Sequence, residues 1–311
     1  MRREDDMPDH TLHRSVPVRP ALFFSFLILV ALMFAACCTE TLGTQSGSYS
    51  VDDEGMLLIN CPSCTVEETH LSDHEGFVLN RVVFRNPHGD VYALAAIPEK
   101  PVAGFVLAPG AGVTKEGHQG RAAAYAAQGY AYLVLDVRGN GGQTAGNPMD
   151  LEKDYQKFLA GEWPQYYLSV CDVSSGRLYL QEKLGIPVYA VGESNGGRYA
   201  ALAAALDPQF AGYIGISTSG FSRAGDEYRG DARKFLLSVD PEIAAMRMNG
   251  RSSWIFHAPG DPVIPFTAGQ AFFAAFPGPK TFFAFNGTHG QNGETDARIL
   301  GECAQIYAPQ R

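Results

Sequence analysis

Residues 187–206 read PVYAVGESNGGRYAALAAAL: a short β-rich run, a serine between glycines, then a stretch with helical apolar spacing. On this reading Pro187 to Val191 is a buried strand and Arg198 to Leu206 lies in a helix. Between them, Gly192-Glu193-Ser194-Asn195-Gly196-Gly197 turns too tightly for side chains at the elbow glycines Gly192 and Gly196. The turn pushes the Ser194 hydroxyl out above the sheet. A strand that feeds a helix in this way is a building block of an α/β sheet.

The same alternation continues on both sides. Phe77 to Arg85 and Val91 to Ile97 flank the turn signal Asn86-Pro87-His88-Gly89, which predicts an antiparallel hairpin. Further strands are expected at Ala103 to Leu107, Ala131 to Asp136, Ala211 to Ser217, Ser253 to Ala258 and Lys280 to Phe285. With Pro187 to Val191 this gives a mostly parallel, eight-stranded sheet. Helical spacing at Gly120 to Gln128, Leu151 to Leu184, Gly196 to Leu206, Ala232 to Met248 and Ala268 to Phe276 supplies cover for both faces.

A serine hydroxyl is a poor nucleophile until a base takes its proton, and that base needs a third group to orient it. Asp261 falls on the loop after the strand that begins at Ser253, in Pro259-Gly260-Asp261-Pro262. His289 follows the last strand, in Asn286-Gly287-Thr288-His289-Gly290. The order Ser194, Asp261, His289, each member just past a strand, resembles the α/β-hydrolase family from Phe77 to Tyr307. The resemblance implies a Ser-Asp-His triad that cleaves an acyl bond through an acyl-enzyme. It also implies that Leu107-Ala108-Pro109-Gly110-Ala111-Gly112 is the oxyanion-hole segment, with Pro109 where histidine is common. The backbone amides of Ala111 and Asn195 are then the expected donors. Asp136 to Gly142 matches the loop after the fourth strand in many members.

Thr218 to Arg251 has room for a small cap or none, so an open site is expected, as in dienelactone hydrolases and acetyl esterases. A carboxylic ester is the preferred substrate class. The alternatives are a short peptide, as for prolyl-oligopeptidase-like serine peptidases, and a non-catalytic surface binding protein on the same fold. Glu193 is read as structural, His257 as a packed histidine and Asp172 as solvated or capping. His118 is read as a loop or first-turn residue after the oxyanion segment, with contact to substrate as the alternative. No ligand-like spacing of histidines or cysteines suggests a metal, and no dinucleotide fingerprint or P-loop suggests a cofactor.

The amino end reads as an address. Ala21 to Ala36 is an uncharged apolar run, short for a membrane span and preceded by arginines. It ends in Phe34-Ala35-Ala36-Cys37, which resembles the lipobox of prokaryotic lipoproteins, and this implies lipidation of Cys37. Residues 1–36 are therefore expected to be a signal peptide, residues 37–60 a tether and residues 61–311 the catalytic domain. The protein would be exported and membrane-anchored; plain secretion and an uncleaved anchor are the alternatives. Cys61, Cys64, Cys171 and Cys303 allow three pairings, and proximity favours Cys61 with Cys64. The 311 residues are 46% hydrophobic, which excludes a disordered or fibrous chain. The 24 basic residues are outnumbered by 33 acidic ones, with no basic stripe, which argues against a nucleic-acid partner.

Overall fold

The computed structural model describes residues 46–307, all within the compact unit Thr44–Arg311. The apolar run Ala21 to Ala36 and Cys37 lie outside the described residues. Eleven strands occur among the described residues: β1 (Ser48–Val51), β2 (Leu57–Asn60), β3 (Thr65–His74), β4 (Phe77–Arg85), β5 (Val91–Pro98), β6 (Ala103–Ala108), β7 (Tyr130–Leu135), β8 (Val188–Glu193), β9 (Gly212–Ile216), β10 (Ser252–His257) and β11 (Lys280–Ala284). All eight expected strands are present, each within two residues of its expected ends. Nine strands form the main sheet in the order β11-β10-β9-β8-β6-β7-β5-β4-β3. It is parallel from β11 to β7 and antiparallel from β7 to β3.

The parallel strands read as apolar runs because helices cover them on both sides. Successive residues of β6 point to opposite faces, so Phe105 and Leu107 enter one core, and Val106 and Ala108 the other. The first core is closed by α1 (Gln119–Ala126) and the C-terminal helix α8 (Gly293–Tyr307). The second is closed by α3 (Gln165–Leu184), α4 (Asn195–Leu206) and α7 (Phe266–Ala275). Phe105 is fully buried among the rings of Tyr125, Tyr130, Tyr132 and Tyr189. Truncating such a ring to alanine costs about 3–5 kcal/mol.

Several expectations are corrected. The strand β3 was not among the expected strands; it is an edge strand exposed along nearly its whole length, so no apolar face marks it. The stretch from Leu151 to Leu184 is two helices, α2 (Leu151–Leu159) and α3, broken at Gly161 and Pro164. Asp154 of α2 caps α3 across the break, its carboxylate accepting from the amides of Gln165 (2.6 Å) and Tyr166 (3.0 Å). Likewise Ala232 to Met248 spans α5 (Gly230–Ser238) and α6 (Pro241–Ala245), which Asp240 separates by capping α6 at the amide of Glu242. The Asp172 side chain is neither solvated nor a cap. It lies buried in α3 and accepts two hydrogen bonds from Arg138, at 2.7 and 3.1 Å.

The expected tether ends earlier than Asn60, because β1 and β2 form an antiparallel hairpin. Its Tyr49 packs edge-on against Trp163 and Tyr167 and donates to the Glu162 carbonyl (2.7 Å). The expected Cys61–Cys64 bridge is also not the one formed. Cys61 pairs with Cys171 of α3, with Cα atoms 5.4 Å apart, and Cys64 keeps its thiol. Packing of the hairpin beside α3 brings together cysteines 110 residues apart, and this decides the pairing over sequence proximity.

Candidate active site

Ser194 sits between β8 and α4 at φ 54°, ψ −122°, a region that side chains rarely adopt. The backbone around it is pinned. The Ser194 amide donates to the Ile216 carbonyl (3.0 Å), and its own carbonyl accepts from the Gly197 amide (3.0 Å) and the Thr218 hydroxyl (2.8 Å). The flanking glycines are required by close approach. A Cβ at Gly192 would lie 2.4 Å from the Gly196 carbonyl oxygen, and one at Gly196 only 1.9 Å from that of Ala108. Gly197, to which the sequence reading gave no role, is equally constrained, since its Cβ would meet the Thr218 side chain at 2.6 Å.

Asp261 follows β10 in a turn closed by its amide on the Ala258 carbonyl. Its buried carboxylate accepts from the amides of Val263 (2.8 Å) and Ile264 (3.0 Å), and from Nδ1 of His289 at 2.8 and 3.0 Å. Burial pushes the carboxyl pKa up, but the Ile264 amide, the His289 ring and the Val263 amide together bring it below the usual carboxylate range. An ionised carboxylate can only accept, so Nδ1 of His289 carries the proton and Nε2 of the neutral ring is left as a base.

The histidine loop is brought to the elbow through Ser217, a residue that the sequence reading left at a strand end. The amide of Gly290 donates to the Ser217 hydroxyl (3.0 Å), one residue from the carbonyl that holds Ser194. Gly290 also packs on Glu193, where a Cβ would come within 2.2 Å of Oε1. The structure therefore gathers Ser194, Asp261 and His289 at one end of the parallel strands, on the loops after β8, β10 and β11.

On the other flank, the loop after β6 approaches the elbow so closely that a Cβ at Gly110 would stand 3.3 Å from that of Ser194. Ala111 follows it on the exposed part of the turn. Asn140 fastens this loop by donating to the carbonyls of Gly110 (2.9 Å) and Val113 (3.0 Å). The motif containing Asn140 was visible in the sequence; its role required the fold. Just beyond, buried Lys115 donates to Asp136 from its side chain (3.0 Å) and from its amide (3.2 Å). The amide of Asn195 is the first of α4, where a helix leaves its donors unpaired. Its side-chain oxygen is occupied by Arg198 (2.7 Å).

His257 is fully buried, with Nε2 against the Ile264 carbonyl (3.0 Å), as a packed histidine should be. His118 closes a one-turn helix after the oxyanion segment, where it is buried and faces Glu193.

Sheet order, helical cover on both faces and the strand-elbow-helix at Ser194 define the α/β-hydrolase fold. No family model matches the chain, and no curated protein sequence matches it. Among solved structures, it is similar to an acetyl xylan esterase from Paenibacillus sp. R4, with a TM-score of 0.65 and 16% identity over 78% of this chain and 89% of that one. Acetyl xylan esterase 1 from Thermoanaerobacterium sp. JW/SL YS485 gives 0.61 and 17%, over 78% and 87%. A glucuronoyl esterase from Solibacter usitatus gives 0.59 and 13%, over 85% and 90%.

Proposed function

We propose that the protein is a serine hydrolase of carboxylic esters, with Ser194 as nucleophile, His289 as general base and acid, and Asp261 as the group that orients it. The observation that carries this reading is the Asp261–His289 hydrogen-bond pair, linked through Gly290 and Ser217 to a serine held at positive φ. His289 Nε2 takes the Ser194 proton as Oγ attacks the ester carbonyl. The amides of Ala111 and Asn195 receive the oxyanion, and the imidazolium then protonates the leaving alcohol. Water, activated by the same nitrogen, releases the acid and restores Ser194.

Similarity to acetyl xylan and glucuronoyl esterases favours ester over peptide and suggests short acyl groups on carbohydrate as the first substrates to try. Export with lipidation at Cys37 belongs to this reading on the sequence alone, and intact mass of the membrane-fraction protein tests it. The function is tested by fluorophosphonate labelling with peptide mapping, and by turnover of p-nitrophenyl acetate and butyrate, acetylated xylan and a glucuronoyl ester. Labelling at Ser194, with roughly a thousandfold or greater loss of turnover in Ser194→Ala, is expected. Full turnover in that variant overturns the assignment. A folded protein that neither labels nor turns over any ester returns the reading to a binding protein.

A further inference from the structure

Glu193, immediately before the candidate nucleophile, has a side chain 15% exposed, and its Oε2 is buried with no hydrogen-bond partner. Facing it at 3.6 Å is Nε2 of His118, also buried and without a hydrogen-bond partner. The other nitrogen of that ring, Nδ1, contacts Nη1 of Arg121. A guanidinium can only donate, so Nδ1 of His118 is the acceptor and the ring proton sits on Nε2, aimed at Glu193. Burial, and then the charge of Arg121, push His118 down to about 4 and keep the ring neutral. Burial, with the like charge of Asp296 adding to it, raises the Glu193 carboxyl above its ordinary value, and the charge of Arg121, the Gln291 amide and the charge of His289 offset only part of that rise.

The same arginine closes a ring around the histidine loop. Its Nη2 donates to the Gln291 carbonyl (3.1 Å), and its Nε to both carboxylate oxygens of Asp296 (3.1 Å each). Oε1 of Glu193 meanwhile fills the space where Gly290 has no side chain. Arg121 thus links His118 to Gln291, and Glu193 faces His118 on one side and packs on Gly290 on the other. His289 is the residue next along the chain.

We infer that Glu193 is a positioning residue for His289: packed on Gly290, its carboxylate seats the Gly290–Gln291 segment and adds a second negative charge on the side of the imidazole that Asp261 already serves. This rests on the functional reading above. The groups surrounding the carboxylate are His118 from the one-turn helix Lys115–His118, Arg121 from α1, the Tyr132 hydroxyl from β7, Asp296 from α8, and His289 with Gln291 from the loop. Of these, only Arg121 is a permanent cation, and Asp296 engages it. The charge on Glu193 is shared between that guanidinium and the imidazole.

The test is the NMR titration of the His289 ring in the full chain, in wild type, Glu193→Gln and Glu193→Asp, each also with Ser194→Ala. Loss of a nearby negative charge disfavours the imidazolium, so the Glu193→Gln titration is expected to move to lower pH by roughly one unit. Glu193→Asp keeps the charge and should hold the midpoint near that of wild type. In turnover, kcat of Glu193→Gln should fall roughly 10- to 100-fold with KM changed less than about threefold, since the interaction matters mainly once the imidazolium forms. If Glu193→Gln does not fold, His118→Ala, which removes the N–H that faces the carboxylate, is expected to move the midpoint the same way. An unmoved His289 titration in a folded Glu193→Gln or His118→Ala protein overturns the inference. Because the titration needs no substrate, it remains decisive even if wild type hydrolyses no ester, an outcome that would overturn only the functional reading.

Discussion

Replacing both Cys61 and Cys171 by alanine removes a bridge that closes a 110-residue loop. The loop-closure relation assigns that bridge roughly 5 kcal/mol of unfolded-state entropy near room temperature. The same relation assigns under about 2 kcal/mol to a bridge between Cys61 and Cys64, so the size of the loss distinguishes the two pairings. With a urea m-value of about 3 kcal/mol/M for a domain of this size, the unfolding midpoint should drop by roughly 1.7 M. Circular dichroism of wild type, the double variant and Cys64→Ser reads it directly, and Cys64→Ser should leave the midpoint nearly unchanged. A drop of under about 0.6 M in the double variant, or an equal drop in Cys64→Ser, would refute the reasoning. Non-reducing peptide mapping supplies the pairing independently.

Asp261→Asn should keep the fold and lower kcat by roughly 10⁴-fold, because the amide no longer holds the ring proton on Nδ1. Asp261 also contributes to acid sensitivity. Its folded pKa lies below the ordinary value of about 3.9, so its stabilisation is fully present above that pH and fades as pH falls through the lower, folded value. An acid-unfolding curve of Asp261→Asn should lack that component. Arg138→Met leaves the Asp172 carboxylate buried without its partner and should cost about 3–5 kcal/mol in urea unfolding, whereas Arg138→Met combined with Asp172→Leu should recover most of the loss. Asn140→Ala frees the Gly110 and Val113 carbonyls and loosens the loop that carries Ala111. Its kcat should fall roughly tenfold or more, with KM and Ser194 labelling site unchanged.

What the sequence made legible follows from burial. The inner strands β6, β7 and β9 are buried throughout and announce themselves as short apolar runs such as AGFVLA. The edge strand β3 and the hairpin strand β1, partly or wholly in water, carry no such signal. The break between α2 and α3 was marked by Gly161 and Pro164, while its cap, Asp154, acts across eleven residues and could be seen only in space. The order of Ser194, Asp261 and His289 was readable because each follows a strand. Ser217, Asn140 and the His118–Glu193 contact were not, since each works by touching a residue far along the chain. The Cys61–Cys171 bridge was hidden for the same reason.

The free edge of the main sheet has a further consequence, for how copies of this protein meet one another. Strand β3 offers ten residues of backbone at the end of the sheet, long enough to template a second sheet. Its residues include Glu67, Glu68 and Asp73, with both glutamates already engaged, Glu67 by Arg85 and Glu68 by Lys183 and Asn80. A second copy docking edge to edge would crowd acid against acid and compete with those ion pairs. The same polarity that conceals β3 from a reading of apolar patterns therefore works against edge-to-edge pairing, and replacing Glu67 or Asp73 with valine should favour such pairing.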